Sequence, residues 1–257
     1  MNKIKEYLDN LVDRNNTGAF IKDDPVQFPH RYTDIRDIEI VSFLVATIAW
    51  GNRKMILNNA NKMLEMMGRS PYDYVMSGGW ENLDADKCVH RTFFGRDLKY
   101  YCMGLKYLYE VPRSCGARND SHTLEDIFYN EEHDVWRGIE NFRSLMAEAN
   151  GGTSKHISNP CCGEPKKGSA CKRLHMALRW LVRNDGIVDL GVWKRLKPKD
   201  LMIPLDVHVA RVSRDLGLIE RKSNDRTTVE MLTAKLREFD AEDPVKYDFA
   251  LFGVELM

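Results

Sequence analysis

An all-α fold is what the sequence predicts, and three observations predict it. Nearly every long segment repeats its apolar residues at helical spacing, polar stretches bearing Gly and Pro separate these segments, and no run alternates convincingly enough to read as a strand. With 257 residues, 43% apolar and 30% charged, the chain can bury a substantial core as one large or two small domains. There is no internal repeat and no low-complexity tract.

Taken in order, the opening MNKIKEYLDNLVDRN sets Ile4, Leu8, Leu11 and Val12 on one helical stripe, with charges throughout, unlike the apolar run of a signal peptide. DIEIVSFLVATIAW repeats apolar residues at Val41, Leu44, Val45 and Ile48, and the next segment does so at Ile56, Ala60, Met63, Leu64 and Met67, so both predict buried helices. The longest apolar stretch, FLVATIAWG, is far too short to span a bilayer, and the expected location is cytoplasmic. DLKYYCMGLKYLYEV and EHDVWRGIENFRSLMAEA predict two more helices, the second stopping at Gly151 and Gly152. Residues 150–168 have no period and predict a loop. SACKRLHMALRWLVR then gathers Leu174, Ala177, Leu178, Leu181 and Val182 on one face, with Ser169 placed as its N-cap. After a loop over 184–205 comes IPLDVHVARVSRDLGL, where Asp206 caps a helix. NDRTTVEMLTAKLREF carries a stripe at Val229, Leu232, Leu236 and Phe239, and DPVKYDFALFG starts a last helix with Asp243 as cap and Pro244 in its first turn.

Thirty-eight basic residues balance thirty-eight acidic ones, so a nucleic-acid binder of this composition must concentrate its positive charge. Residues 155–199 do concentrate it, with eleven Lys and Arg against three acidic residues, a local charge of +8. On a helical wheel Lys172, Met176, Arg179 and Arg183 fall together opposite the apolar stripe, which predicts an outward basic ridge. That ridge is either a solvated helix face or a phosphate-tracking surface, in which Gly168 and Ser169 at the helix start offer N–H groups to an anion. Six cysteines (Cys88, Cys102, Cys115, Cys161, Cys162, Cys171) lack C-x-x-C spacing and read as reduced thiols, with no metal and no cofactor expected.

LDVHVARVSRDLGL resembles the V-D-T-H-x-x-R-V segment of the helix-hairpin-helix (HhH-GPD) DNA glycosylases, the superfamily of endonuclease III and the 8-oxoguanine glycosylases; Asp206, His208, Arg211 and Val212 fall on its positions. VSFLVATIAWGNRKMILNNANKML is similar to that superfamily's early helix pair and its DNA-contacting turn, here Asn52 and Arg53. GSACKRL is similar to the helix start bearing the catalytic lysine of its bifunctional members, and Lys172 matches that lysine. The pattern as a whole most resembles an uncharacterised bacterial family related to these enzymes. Two features differ: GEPKKGS stands where the superfamily's hairpin reads L-P-G-V-G, and the interval from Lys172 to Asp206 is longer than in endonuclease III. No cysteine follows Asp206, so the iron–sulfur cluster of endonuclease III has no ligands here.

The resemblance implies a two-lobed helical fold, residues 38–199 forming the lobe with the lysine helix and residues 1–37 plus 200–257 the lobe with the aspartate, so that Lys172 and Asp206 meet across a cleft. It implies a DNA repair glycosylase, with or without AP-lyase activity, acting on an oxidised purine in double-stranded DNA, with Lys172 as nucleophile, because only an amine forms a Schiff base with C1′. Asp206 would take the amine's proton or stabilise positive charge on the sugar, and Arg173 and Arg179 are nearby cations. Gly168, Ser169, Arg173, Arg179, Arg183, Asn52, Arg53 and Arg211 would meet the nucleic acid. Each residue also has a plainer role: Asp206 as a cap alone, Lys172 as a surface lysine, His208 as a structural histidine, Trp50, Phe249 and Phe252 as packing residues. Two other functions fit the same sequence, a nucleic-acid-binding protein without catalysis and a protein-interaction module whose ridge is merely solvated.

Overall fold

The computed structural model describes residues 2–111 and 123–254; Cys115 lies outside them. Among the described residues the only strands form one short antiparallel hairpin, β1 (Cys88–His90) with β2 (Phe93–Phe94), and helices carry the rest of the regular structure. The hairpin was not legible as alternation because each strand is at most three residues long.

The N-terminal stripe becomes α1 (Asn2–Asn15), with Leu8, Leu11 and Val12 buried, followed by the short α2 (Gly18–Lys22). Helix α3 (Ile35–Ile48) starts at Asp34, whose carboxylate accepts from the Arg36 N–H, and is buried nearly all round. Asn52 caps α4 (Arg53–Met67) by accepting from Met55 N, and Ser70 caps α5 (Pro71–Met76), with Pro71 at its first position. Helices α6 (Gly95–Glu110), α7 (Glu125–Phe128) and α8 (Val135–Asn150) pack together, and α8 ends on Gly151 in the left-handed region. Helix α9 (Lys172–Val182) packs on α3; α10 (Val207–Asp215), α11 (Arg226–Arg237) and α12 (Tyr247–Gly253) follow.

Two long-range docks close the structure. α1 lies along α12, where Asn15 donates to the Phe249 carbonyl at 3.1 Å and the Tyr247 hydroxyl donates to Asp9 at 2.9 Å. The helices approach so closely that a Cβ on Gly253 would stand 1.9 Å from Asn15 Nδ2. Segment 188–197 is tied down by two buried acids. Glu125 accepts from the backbone of Lys194, Arg195 and Leu196, and Glu39 accepts from the Trp193 indole at 2.6 Å.

The start of α9 differs from the sequence reading. Cys171, not Ser169, is the N-cap; it adopts φ 46°, and its carbonyl accepts from Leu174 and His175. Ser169 stands two residues earlier, where its hydroxyl accepts from Cys171 N and its own N–H donates to Asn159 O. The chain turns at Cys171 because residues 168–169 are already held in an extended bridge to Asp225 and Arg226.

Candidate active site

A cavity of about 600 Å³ opens where α4, α9 and α10 all begin. Its walls carry Phe20, Trp50, Trp180, Phe249 and Phe252, and its polar groups are Asp24, Arg53, Lys172, Arg173, Arg179, Asp206 and Asp248. Phe20 stands edge-on to both Phe249 and Phe252, which ties the N-terminal segment to the last helix at the cavity wall.

Lys172 and Asp206 face each other here, Nζ to Oδ2 at 3.8 Å, each side chain about 30% exposed (27% and 32%). Both reach the cavity from helix starts, Lys172 as the first residue of α9 and Asp206 as the cap of α10. The two oxygens of Asp206 divide the work: Oδ1 accepts from Val209 N at 2.9 Å, and Oδ2 faces the lysine. The cap and the ion pair therefore coexist on one carboxylate.

The other predicted residues are distributed unevenly. Arg53 lines the cavity with its guanidinium 5.3 Å from the Phe252 ring centroid. Arg173 also lines it, donating to Thr47 O at 2.7 Å and lying 5.2 Å from the Trp50 ring. Asn52 is exposed beside them as the α4 cap. Arg211 is exposed on α10 and meets His208 Nδ1 at 3.2 Å, while His208 Nε2 lies 3.2 Å from Phe252 O. Trp50, expected as core, is only partly buried and lines the cavity.

Four residues do not occupy the positions the sequence predicts. The wheel places Arg179 and Arg183 on an outward ridge, yet each is 4% exposed. Arg179 pairs with Asp189 at 3.2 Å and with Asp248; Arg183 pairs with Asp185, with Asp189 at 3.1 Å and with Asp243 at 2.8 Å. That face of α9 is covered by α12, by Asp243 ahead of it and by residues 185–189, which together bring four carboxylates to two guanidinium groups. Gly168 and Ser169 do not offer free N–H groups, since Gly168 donates to Pro165 O and Ser169 to Asn159 O. Gly168 is fixed by packing instead, because a Cβ there would stand 2.3 Å from the Pro160 carbonyl.

Two cavity residues were missed in the sequence. Asp24 looks like an ordinary cap before Pro25, and it does accept from Val26 N at 3.0 Å. Asp248 is the one charged residue in the buried run YDFALFG, a signal that could have been used. Burial pushes its carboxyl up to about 6, against the pull of Arg179.

The fold and the site thus define an all-α protein with a lysine–aspartate pair set into an aromatic-walled cavity. The chain belongs to the family described as Protein of unknown function (DUF2400), which matches residues 24–257. No curated protein and no solved structure matches it.

Proposed function

We propose that the protein is a DNA glycosylase that excises an oxidised purine through a Schiff base at Lys172, with strand cleavage following from that intermediate. The observation that carries this is the Lys172–Asp206 pair at 3.8 Å on the wall of a cavity of about 600 Å³. That volume lies in the range of small-ligand sites and accommodates an extruded base. In the HhH-GPD reading, the lobe over 38–199 supplies Lys172, and 1–37 with 200–257 supplies Asp206.

The chemistry follows from these two groups. Lys172 loses a proton toward the Asp206 carboxylate, and its lone pair attacks C1′ of the extruded nucleotide. The C1′–N9 bond breaks, and the base leaves with the electron pair and takes up a proton. The nitrogen then gives up a second proton, the C1′–O4′ bond opens with O4′ taking a proton, and a protonated C1′=N imine is left on Lys172. Asp206, held by the Val209 N–H, keeps a negative oxygen near the sugar while positive charge develops there.

Duplex DNA with a damaged base is the proposed partner. The first turns of α4, α9 and α10 put helix N-termini at the cavity, where the partial positive charge favours phosphate; Arg53 and Arg173 add full charges there, and Arg211 adds one on the exposed face of α10. A second reading is a nucleic-acid binder without catalysis, which uses the same helix N-termini and asks nothing of the Lys172–Asp206 pair. Borohydride trapping on duplexes with single oxidised purines decides between them: a covalent adduct that Lys172→Gln abolishes supports the enzyme. An adduct that survives Lys172→Gln moves the nucleophile elsewhere, and no adduct on any lesion leaves the binder.

A further inference from the structure

Three carboxylates line the cavity, and two are already committed. Asp206 divides its oxygens between the α10 cap and Lys172, and Asp248 is held by Arg179. Asp24 differs. Its Oδ1 accepts from Val26 N at 3.0 Å, which fixes the side chain's direction, and among the described residues no Lys, Arg or His stands within ion-pair distance of it. Arg179, Arg53 and Lys172 act on it only through space, and burial raises its carboxyl above the ordinary range. Phe20, four residues earlier, stands on the same cavity wall.

Ionised, as hydrogen-bond donors facing it favour, this fixed carboxyl accepts at its uncommitted oxygen and donates none. Among nucleobase edges, the guanine type presents two adjacent donors, N1–H and the 2-amino group; adenine presents an acceptor, N1, beside a single amino donor. A cationic ligand is disfavoured, because Arg53, Lys172, Arg173 and Arg179 outnumber the three carboxylates in the same cavity. We propose that Asp24 is the specificity-determining residue of this cavity, reading the Watson–Crick edge of an extruded guanine-type base by accepting its N1–H and 2-amino hydrogens. The inference rests on the glycosylase reading of Lys172 and Asp206.

The test uses three duplexes, one carrying an abasic site, one 8-oxoguanine and one 8-oxoadenine, with the intact protein and Asp24→Asn. Asparagine caps as well as aspartate, so the turn at Val26 is retained, and thermal melting checks that the fold is too. Abasic DNA has no base to read and reports the lysine chemistry alone. In the wild type, 8-oxoguanine is trapped faster than 8-oxoadenine. In Asp24→Asn, the ratio of 8-oxoguanine to abasic trapping falls at least about tenfold, as the loss of a two-donor contact implies. An unchanged ratio overturns the role of Asp24 and leaves the lysine chemistry standing. Equal loss on both duplexes also overturns it, because Asp24 would then act on the chemistry rather than the base. A wild type that traps abasic DNA but prefers 8-oxoadenine overturns the guanine edge alone. Failure of the wild type to trap any of the three overturns the glycosylase reading as well.

Discussion

Replacing Arg183 with methionine distinguishes a buried structural charge from a surface one. In the structure the guanidinium is 4% exposed and holds Asp185, Asp189 and Asp243. Methionine fills most of the volume but leaves three carboxylates near one another without that counter-charge. Breaking a buried pair from one side costs about 3–5 kcal/mol, because the remaining charge is uncompensated. For a chain of this size each kcal/mol moves the melting temperature by about 2–4 °C, so the loss should be roughly 6–20 °C. Arg183→Lys keeps the charge but not the planar fork that reaches several carboxylates, and should fall between the two. The assay is thermal unfolding followed by circular dichroism, paired with duplex-DNA affinity measured against salt. A melting temperature within about 2 °C of wild type, together with a flatter salt dependence, would mean that Arg183 faces solvent and meets phosphates, and the burial argument would be wrong.

Other expectations follow from single contacts. Asp206→Asn should slow trapping yet leave the melting temperature nearly unchanged, whereas Asp206→Ala should cost about 1 kcal/mol more by losing the α10 cap; equal melting losses in both would refute the divided role of the two oxygens. The Asp248 carboxyl, raised to about 6 mainly by burial, binds its proton more tightly folded than unfolded, so its contribution is present below about pH 4 and lost as pH rises through 6. The stability difference between wild type and Asp248→Asn should therefore shift by roughly 2–3 kcal/mol over that window and level off above pH 7; melts from pH 4 to 8 giving a constant difference would reject it. Gly253→Ala should destabilise by about 1–3 kcal/mol through its clash with Asn15, and Asn15→Ala in the same chain should recover part of that loss in a double-mutant cycle.

The helices were legible because their stripes report burial directly. Leu174, Ala177, Leu178, Leu181 and Val182 are all buried, as the period requires. Asp206 was legible as a cap because capping is local, settled within three residues. Arg179 and Arg183 were not legible. A wheel gives the direction of a side chain on its own helix, not what arrives opposite it, and Asp243 and Asp248 come from about 60–70 residues away. The cap at Cys171 was hidden for a similar reason, since the turn is imposed by the bridge from Ser169 to Asp225. Asp24 was hidden by its own local role, because a cap explains an aspartate before proline without any cavity.

The cavity wall joins residues from near both ends of the chain, and this sets an order of assembly during synthesis. Asn15 and Phe249 meet across 234 residues, so α1 emerges from the ribosome with Leu8, Leu11 and Val12 uncovered and keeps that face bare until α12 follows. The packing of α3 on α9 and of α6 on α8 can settle earlier, while Arg179 and Arg183 on α9 wait for Asp248 and Asp243, and α10 waits for α12. Phe249 and Phe252 then close the wall beside Phe20, so the cavity is complete only once α12 is in place. A nascent chain caught before that point holds Lys172 and Asp206 but no finished enclosure around them.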